Sequence, residues 1–393
     1  MGLGTLGPAA VAPSVATAQT AYTLRELAAD PVGSAAQAQA IAADGTVVGS
    51  VQTAGGPVAV AWTPQGDVRA LAPPDAAGAA RAIAGPWVVG RVDRACGQAG
   101  AFVWTEATGA QPLGPESCER AVAVSVNDAG QALLLVGFPA VAQVWAVDGS
   151  AAPRQLASWD GPVAAAAIDA QGRVLGGVGG HPVGGPIMRA IEWLPDGSHR
   201  LLERLDPMAA APDLAADRNE AGLVVGQAGA GARSRAAIWD EAGTPTDAGG
   251  ALGPGTSSFL LAVNDAGVAV GGSDEGAIRW DADAGTRTLA SFAGPSAAGW
   301  TLLTATDIND DGRICGEGLA PDGRTAAWVL IPDATDPPDC PADLDADGSL
   351  TIFDFLAFQN AFDAMDPAAD FDADGEFTLF DFLAFQNAFD AGC

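Results

Sequence analysis

Seven tryptophans at near-regular spacing constrain this chain more than any other feature. Trp62, Trp104, Trp145, Trp193, Trp239, Trp280 and Trp328 recur every 41 to 48 residues. Six have alanine three residues earlier (Ala59, Ala101, Ala142, Ala190, Ala236, Ala277), and the seventh has Thr325. A second landmark precedes each Trp: an apolar residue, a polar turn ending in Gly, then a short aliphatic run closed by Gly. Ile41-Ala42-Ala43-Asp44-Gly45-Thr46-Val47-Val48-Gly49 is one example, and Val263 to Gly271 is another. Five repeats hold the apolar residue four places before the turn glycine, as Ile41, Val126, Ile168, Val263 and Ile308. The second repeat has the shorter turn Ile83-Ala84-Gly85, and the fifth places Arg218 at the apolar position.

Each unit reads as strand, tight turn, strand, loop, strand, turn, strand. Asx-rich turns ending in Gly suit tight hairpins, because Asn and Gly tolerate positive φ. Four short strands every 40 to 48 residues mark a propeller blade. Seven such blades would close a ring and leave few free edges. The expected fold is therefore an all-β, seven-bladed β-propeller over residues 22–332. After Trp328 the last repeat lacks a fourth strand, whereas Tyr22-Thr23-Leu24-Arg25-Glu26-Leu27 matches that position. This segment is expected to pair into the last blade. One large aromatic per repeat is most simply a packing residue between neighbours. A ring of indoles around a sugar is the sharper alternative, for which the unregistered Trp87, Trp159 and Trp300 are better placed.

A duplication follows at the C-terminal end. Asp343-Leu344-Asp345-Ala346-Asp347-Gly348 recurs 27 residues later as Asp370-Phe371-Asp372-Ala373-Asp374-Gly375, and residues 353–364 are identical to 380–391. The spacing is that of an EF-hand loop. Asp343, Asp345 and Asp347 take positions 1, 3 and 5, Ser349 offers a carbonyl at 7, and Asp354 closes the loop at 12. The second set is Asp370, Asp372, Asp374, Glu376 and Asp381. Ca²⁺ prefers six to eight hard oxygen ligands, and this spacing gathers them around one point. Two ions are expected, one per loop. Residues 333–339 form a proline-rich linker, and 340–393 a small module with too little core to fold securely without its ions.

Acids number 48 against 18 bases, a net charge of -30. Phosphate recognition needs clustered cations, so nucleic acid is excluded as a partner. No run of about 20 apolar residues exists, so no membrane span is expected. Residues 1–20 read as a signal-like leader, with Ala16-Thr17-Ala18 in the small-x-small form of a cleavage site. Five cysteines lack any C-x-x-C pair, which disfavours zinc. Cys340 and Cys393 bracket the duplication as a disulfide clasp would. Cys96 and Cys118 could also pair, leaving Cys315 as a buried thiol.

Two family resemblances follow from these motifs. The body resembles the HAF-type extracellular repeat of secreted bacterial proteins, which reads as a turn ending in Gly, Val-Val-Gly, then His-Ala-Phe and Trp. Ala101-Phe102-Val103-Trp104 is the nearest match, and the His is absent throughout. Residues 340–393 resemble a dockerin of the type ending in Gly-Cys. That resemblance implies a cohesin-like or other surface receptor, recognised near loop positions 10 and 11. Those positions hold Ile352 and Phe353, then Leu379 and Phe380, which are apolar where cellulosomal dockerins carry hydroxyls.

No nucleophile elbow, P-loop or dinucleotide fingerprint stands in a strand–helix context, and His181 and His199 read as solvated loop residues. No catalytic or organic-cofactor residues are nominated. Turn acids such as Asp44, Asp128, Asp169, Asp265 and Asp310 read as hairpin residues. The expected protein is a secreted, cell-surface-associated propeller that binds or displays a ligand, with carbohydrate as the candidate, and is anchored by its calcium module. The alternative is a carbohydrate-active hydrolase or lyase on the same tether.

Overall fold

The computed structural model describes residues 21–29, 35–71, 77–157, 162–179, 188–253, 255–333, 342, 344, 351–366, 369–371 and 377–391. The leader, both bracketing cysteines, Trp159, His181 and seven of the ten expected calcium ligands lie outside them. The chain divides into two compact units. Tyr22–Pro332 forms one, and the C-terminal segment from Asp333 belongs to the other.

The larger unit is built from antiparallel four-stranded sheets. In the first of them Ala36–Ile41, Val47–Thr53, Gly56–Trp62 and Val68–Ala70 pair in chain order. Four further sheets repeat this order, and an eight-stranded sheet contains the last two repeats, bridged at Gly272 and Thr304. The first strand of each repeat packs against the first strand of the next: Ala36–Ile41, Gly78–Ala84, Ala121–Val126, Val163–Ile168, Leu214–Arg218, Ser258–Val263 and Thr301–Ile308. The last of these packs back on Ala36–Ile41, so the circuit closes. Sheets arrayed edge-inward around an axis are the arrangement of a β-propeller.

Closure uses both ends of this unit. Tyr22–Leu27 pairs antiparallel with Thr325–Pro332, from Tyr22 opposite Pro332 to Leu27 opposite Ala327. The expected fourth strand is therefore present. Its N-terminal end is held by Tyr22 N–H to Phe292 O at 3.1 Å and Gly294 N–H to Tyr22 O at 3.0 Å. Arg324 forms an ion pair with Glu26 on the same strand.

The recurrent Trp and the alanine three residues before it prove to be halves of one packing device. Trp104 shares a packed cluster with Ala59 of the preceding sheet, and Trp145 with Ala101. Trp193 does so with Ala142, Trp239 with Ala190, Trp280 with Ala236, and Trp328 with Ala277. A small side chain in one sheet thus makes room for the indole of the next. Trp62 closes the series against Leu27, Ala327 and Val329, and its indole N–H donates to Ala28 O at 2.7 Å. Burying a side chain of this size contributes about 2–3 kcal/mol, so these contacts are a main tie between sheets. Trp87 and Trp300 are also half-buried against apolar clusters. His199 lies on the short strand His199–Leu201 opposite Trp193, not in a loop.

Each first strand carries a β-bulge at the same place, as between Ala38 and Ala40, Ala215 and Asp217, or Ala305 and Asp307. The bulge explains the glycine that closes the aliphatic run. A Cβ on Gly49 would stand 1.9 Å from Gln37 O, and one on Gly226 2.0 Å from Leu214 O. Glycine fits beneath the displaced carbonyl in six of the seven repeats, whereas the third holds Leu134 opposite Ala123 at the same place.

Cys96 and Cys118 form a disulfide, and Cys315 is a buried free thiol. The smaller unit contains helices α1 (Ile352–Asp363) and α2 (Leu379–Ala391). Phe358 and Phe385, equivalent residues of the two copies, stack at 4.4 Å with an interplanar angle of 13°. Ala342 and Ala369, also equivalent, are buried beside them. The sequence duplication is thus a structural duplication about a Phe–Phe contact. No helix among the described residues is long and apolar enough to cross a membrane.

Candidate functional site

The first hairpin turns converge on one pocket of about 330 Å³, at one end of the axis around which the sheets are arrayed. It is lined by Ile41 and Ala43, Asp128, Ile168 to Gln171, Asp217 to Glu220, Val263 to Asp265, and Ile308 to Asp310. The turn of the second repeat is also close, because a Cβ on Gly85 would stand 3.1 Å from Asp128 Oδ1. The turn acids named from the sequence are therefore hairpin residues that also share a pocket. Asp44 is not among its lining residues and caps its own turn, accepting from Thr46 N at 2.8 Å.

Most polar groups here tie one turn to the next. Asn127 Nδ2 donates to Asp169 O at 2.7 Å. Asn219 donates to Asn264 O at 3.0 Å, Asn264 to Asn309 O at 3.1 Å, and Asn309 to Ala42 O at 3.0 Å. Each Asn uses its Oδ1 to accept the backbone N–H four residues later in its own turn, as Asn264 does from Val268 at 2.9 Å. An amide suits this place because it carries both a donor and an acceptor. Asp169 keeps the acceptor role toward Arg173 N at 2.8 Å and pairs with the Arg173 guanidinium.

Carboxylates make a second series of ties. Asp265 Oδ1 accepts Glu220 N–H at 2.8 Å, and Asp310 Oδ1 accepts Asp265 N–H at 2.9 Å. At the bulges, Asp217 Oδ2 accepts Val263 N–H at 2.9 Å and Asp307 Oδ2 accepts Ile41 N–H at 2.8 Å. Desolvation pushes Asp217 up to about 6 and Asp307 up to about 7, against the pull of the same backbone hydrogen bonds. Both carboxyl groups therefore keep a proton well above the usual carboxylate range. Nearby Cys315 is driven far up by burial, so it stays a thiol. The irregular Arg218 is explained by Glu192 on the adjacent sheet, which accepts from it at 2.9 Å while also pairing with Arg200. A buried guanidinium at an apolar position is tolerated because its partner is buried with it.

Of the expected calcium ligands, Asp354, Asp370 and Asp381 are described. Asp354 and Asp381 are fully buried in the first turns of α1 and α2. Asp354 Oδ2 accepts Thr351 N–H at 2.8 Å, and Asp381 Oδ2 accepts Thr378 N–H at 2.7 Å. Asp381 Oδ1 also accepts Phe371 N–H at 2.8 Å, next to half-buried Asp370. This fits the first and last positions of a loop being drawn together, with oxygen-only donors of the kind Ca²⁺ takes. Asp343, Asp345, Asp347, Ser349, Asp372, Asp374 and Glu376 lie outside the described residues. Leu379 and Phe380, at the tenth and eleventh loop positions, are 68% and 67% exposed.

Neither a protein-family model nor a curated protein matches the sequence. The fold is similar to that of puromycin hydrolase, at a TM-score of 0.52 and 17% identity, over 76% of this chain and 52% of that one. It is similar to the acylaminoacyl peptidase of Pyrococcus horikoshii, at 0.50 and 12%, over 75% and 51%. It is also similar to a catalytically inactive variant of virginiamycin B lyase from Staphylococcus aureus with quinupristin, at 0.50 and 9%, over 79% and 100%. The chain spans about half the length of the first two proteins. At these identities the likeness concerns the fold alone.

Proposed function

We propose that this chain is a secreted, surface-associated seven-bladed propeller that binds or displays a ligand without chemistry, anchored through a calcium-dependent dockerin-like module at residues 340–393. The observation that carries the non-catalytic reading is the commitment of the axial carboxylates. Asp217, Asp265, Asp307 and Asp310 each accept a backbone N–H from the neighbouring repeat. Groups committed to holding turns together are poorly free to act on a substrate. The seven closed repeats support the blade count, and the Cys96–Cys118 disulfide supports an oxidising, extracellular setting. The buried position-12 carboxylates support two Ca²⁺ ions, and exposed Leu379 and Phe380 support an apolar receptor contact.

A second reading, a tethered carbohydrate-active hydrolase or lyase, draws on Asp217 and Asp307. Carboxyl groups that hold a proton near neutral pH are suited to general acid work. A glycan array probed with the full chain, followed by turnover assays on each hit, separates the two. Binding without turnover is expected. Turnover abolished by Asp217→Asn or Asp307→Asn, in a variant that still binds, would replace the favoured reading with the second.

A further inference from the structure

We infer that the sheet of the second repeat carries a separate binding site, a cavity of about 720 Å³ that takes a small amphiphilic amine, with an apolar body and one protonated nitrogen. The cavity shares no lining residue with the axial pocket, so the inference goes beyond the binding role proposed above and does not rest on it.

The site is built at the end of the sheet remote from its first turn. The hairpin turn between Trp87–Asp93 and Ala99–Thr105 forms one side, and the loop after Gly109–Leu113 forms the other. Between them the strands supply an apolar floor. Val92 and Ala110 pack in one cluster with buried Phe102, and Pro112 stands opposite Phe102 on the last strand. An apolar cavity of this size with a few polar groups on its wall suits a small organic ligand.

Two charged side chains line the cavity, Arg94 and Glu116, and they differ in what they have left to offer. Arg94 Nη1 donates to Ser117 O at 2.9 Å and reaches Pro115 O and Glu119 O at 3.5 Å. Its guanidinium is therefore turned to the loop backbone. Glu116 is exposed, and no described residue forms an ion pair or hydrogen bond with its carboxylate. Gln111, also on the wall, donates through Nε2 to Thr108 O at 2.9 Å and keeps Oε1 as an acceptor. Acceptors left open beside an apolar floor favour a ligand that brings N–H donors and a positive charge. An anionic ligand would instead meet the Glu116 carboxylate as a like charge.

The wall is formed before any ligand arrives. The Arg94 bonds and the Cys96–Cys118 disulfide fasten the loop to the hairpin at separate points. Both cysteines are exposed, so the disulfide ties the loop rather than the interior. Fixing a loop before binding lowers the ordering cost of the complex.

The test is calorimetric titration of the full chain at neutral pH with three matched probes: naphthylethylamine, naphthylethanol and naphthylacetate. The amine is expected to bind most tightly and the acetate least. Glu116→Gln should lower the affinity for the amine about threefold and leave that for the alcohol unchanged. Ala110→Phe fills the cavity and should abolish binding of both. Cys96→Ser combined with Cys118→Ser frees the loop and should weaken the amine about threefold. The site is overturned if the amine does not bind, if it survives Ala110→Phe, or if the acetate binds as tightly. An amine affinity unchanged in Glu116→Gln overturns the role of that carboxylate, and one unchanged without the disulfide overturns the pre-formed wall.

Discussion

The side-chain amide of Asn264 donates to the backbone carbonyl of Asn309 at 3.1 Å, one repeat further around the axis. Asn309 in turn reaches Ala42 in the first repeat, so the chain of ties crosses the junction between the two ends of the ring. Replacing Asn264 by Ala removes this donor and leaves the Val268 N–H without its acceptor. A loss of about 1–3 kcal/mol is expected, read from the midpoint of urea unfolding.

The glycine that closes the aliphatic run is predicted to be intolerant for reasons of space. In Gly226→Ala the new Cβ would stand 2.0 Å from Leu214 O, which is backbone and cannot swing away. This variant should lose several degrees of melting temperature. Gly255→Ala meets nothing within 4 Å and should melt as the parent does. Equal melting of the two variants would remove the bulge explanation.

Much of the larger unit is legible in the sequence because its repeat is regular. The Trp spacing, the turn glycines and the displaced strand at Tyr22–Leu27 all have local signatures, and the pairing of that strand with Thr325–Pro332 follows from counting what the last repeat lacks. The ties across repeats are less legible. Asn127, Asn219, Asn264 and Asn309 stand at equivalent positions, and that equivalence was a usable signal for a shared role. The contacts of the first three lie 42 to 45 residues away and that of Asn309 lies 267 away, where local turn rules do not reach. Hairpin chemistry accounts for Asp169 and Asp265 but is silent about the pocket they share, since convergence depends on ring geometry. The Ala–Trp pairing was hidden because its members sit in successive repeats.

Stability should depend on pH through the bulge carboxyl groups. Asp307 has an ordinary value of 3.8 and is pushed up to about 7 in the fold. Below about pH 4 the group is protonated in both states. Between 4 and 7 the unfolded chain releases the proton while the folded chain keeps it, so stability falls as pH rises and levels off above 7. The melting temperature of the parent should therefore drop more between pH 4 and 7 than that of Asp307→Asn. Parallel curves would show that Asp307 titrates normally.

The strand at Tyr22–Leu27 supplies a whole row of ladder bonds to Thr325–Pro332 and helps to enclose Trp62. Deleting it exposes the edge of the last sheet and opens the cluster around Leu27 and Val329. A fall in melting temperature of ten degrees or more is expected, on the order of the loss of a packed strand. A melt unchanged by the deletion would mean that closure does not depend on this strand.

The most direct test of an independently folding, calcium-held anchor beside a calcium-indifferent propeller is differential scanning calorimetry of the full chain. It is run with calcium and with excess chelator, under reducing conditions. Two transitions are predicted, of which only the smaller, from residues 340–393, disappears on chelation. A single transition that ignores calcium would contradict it.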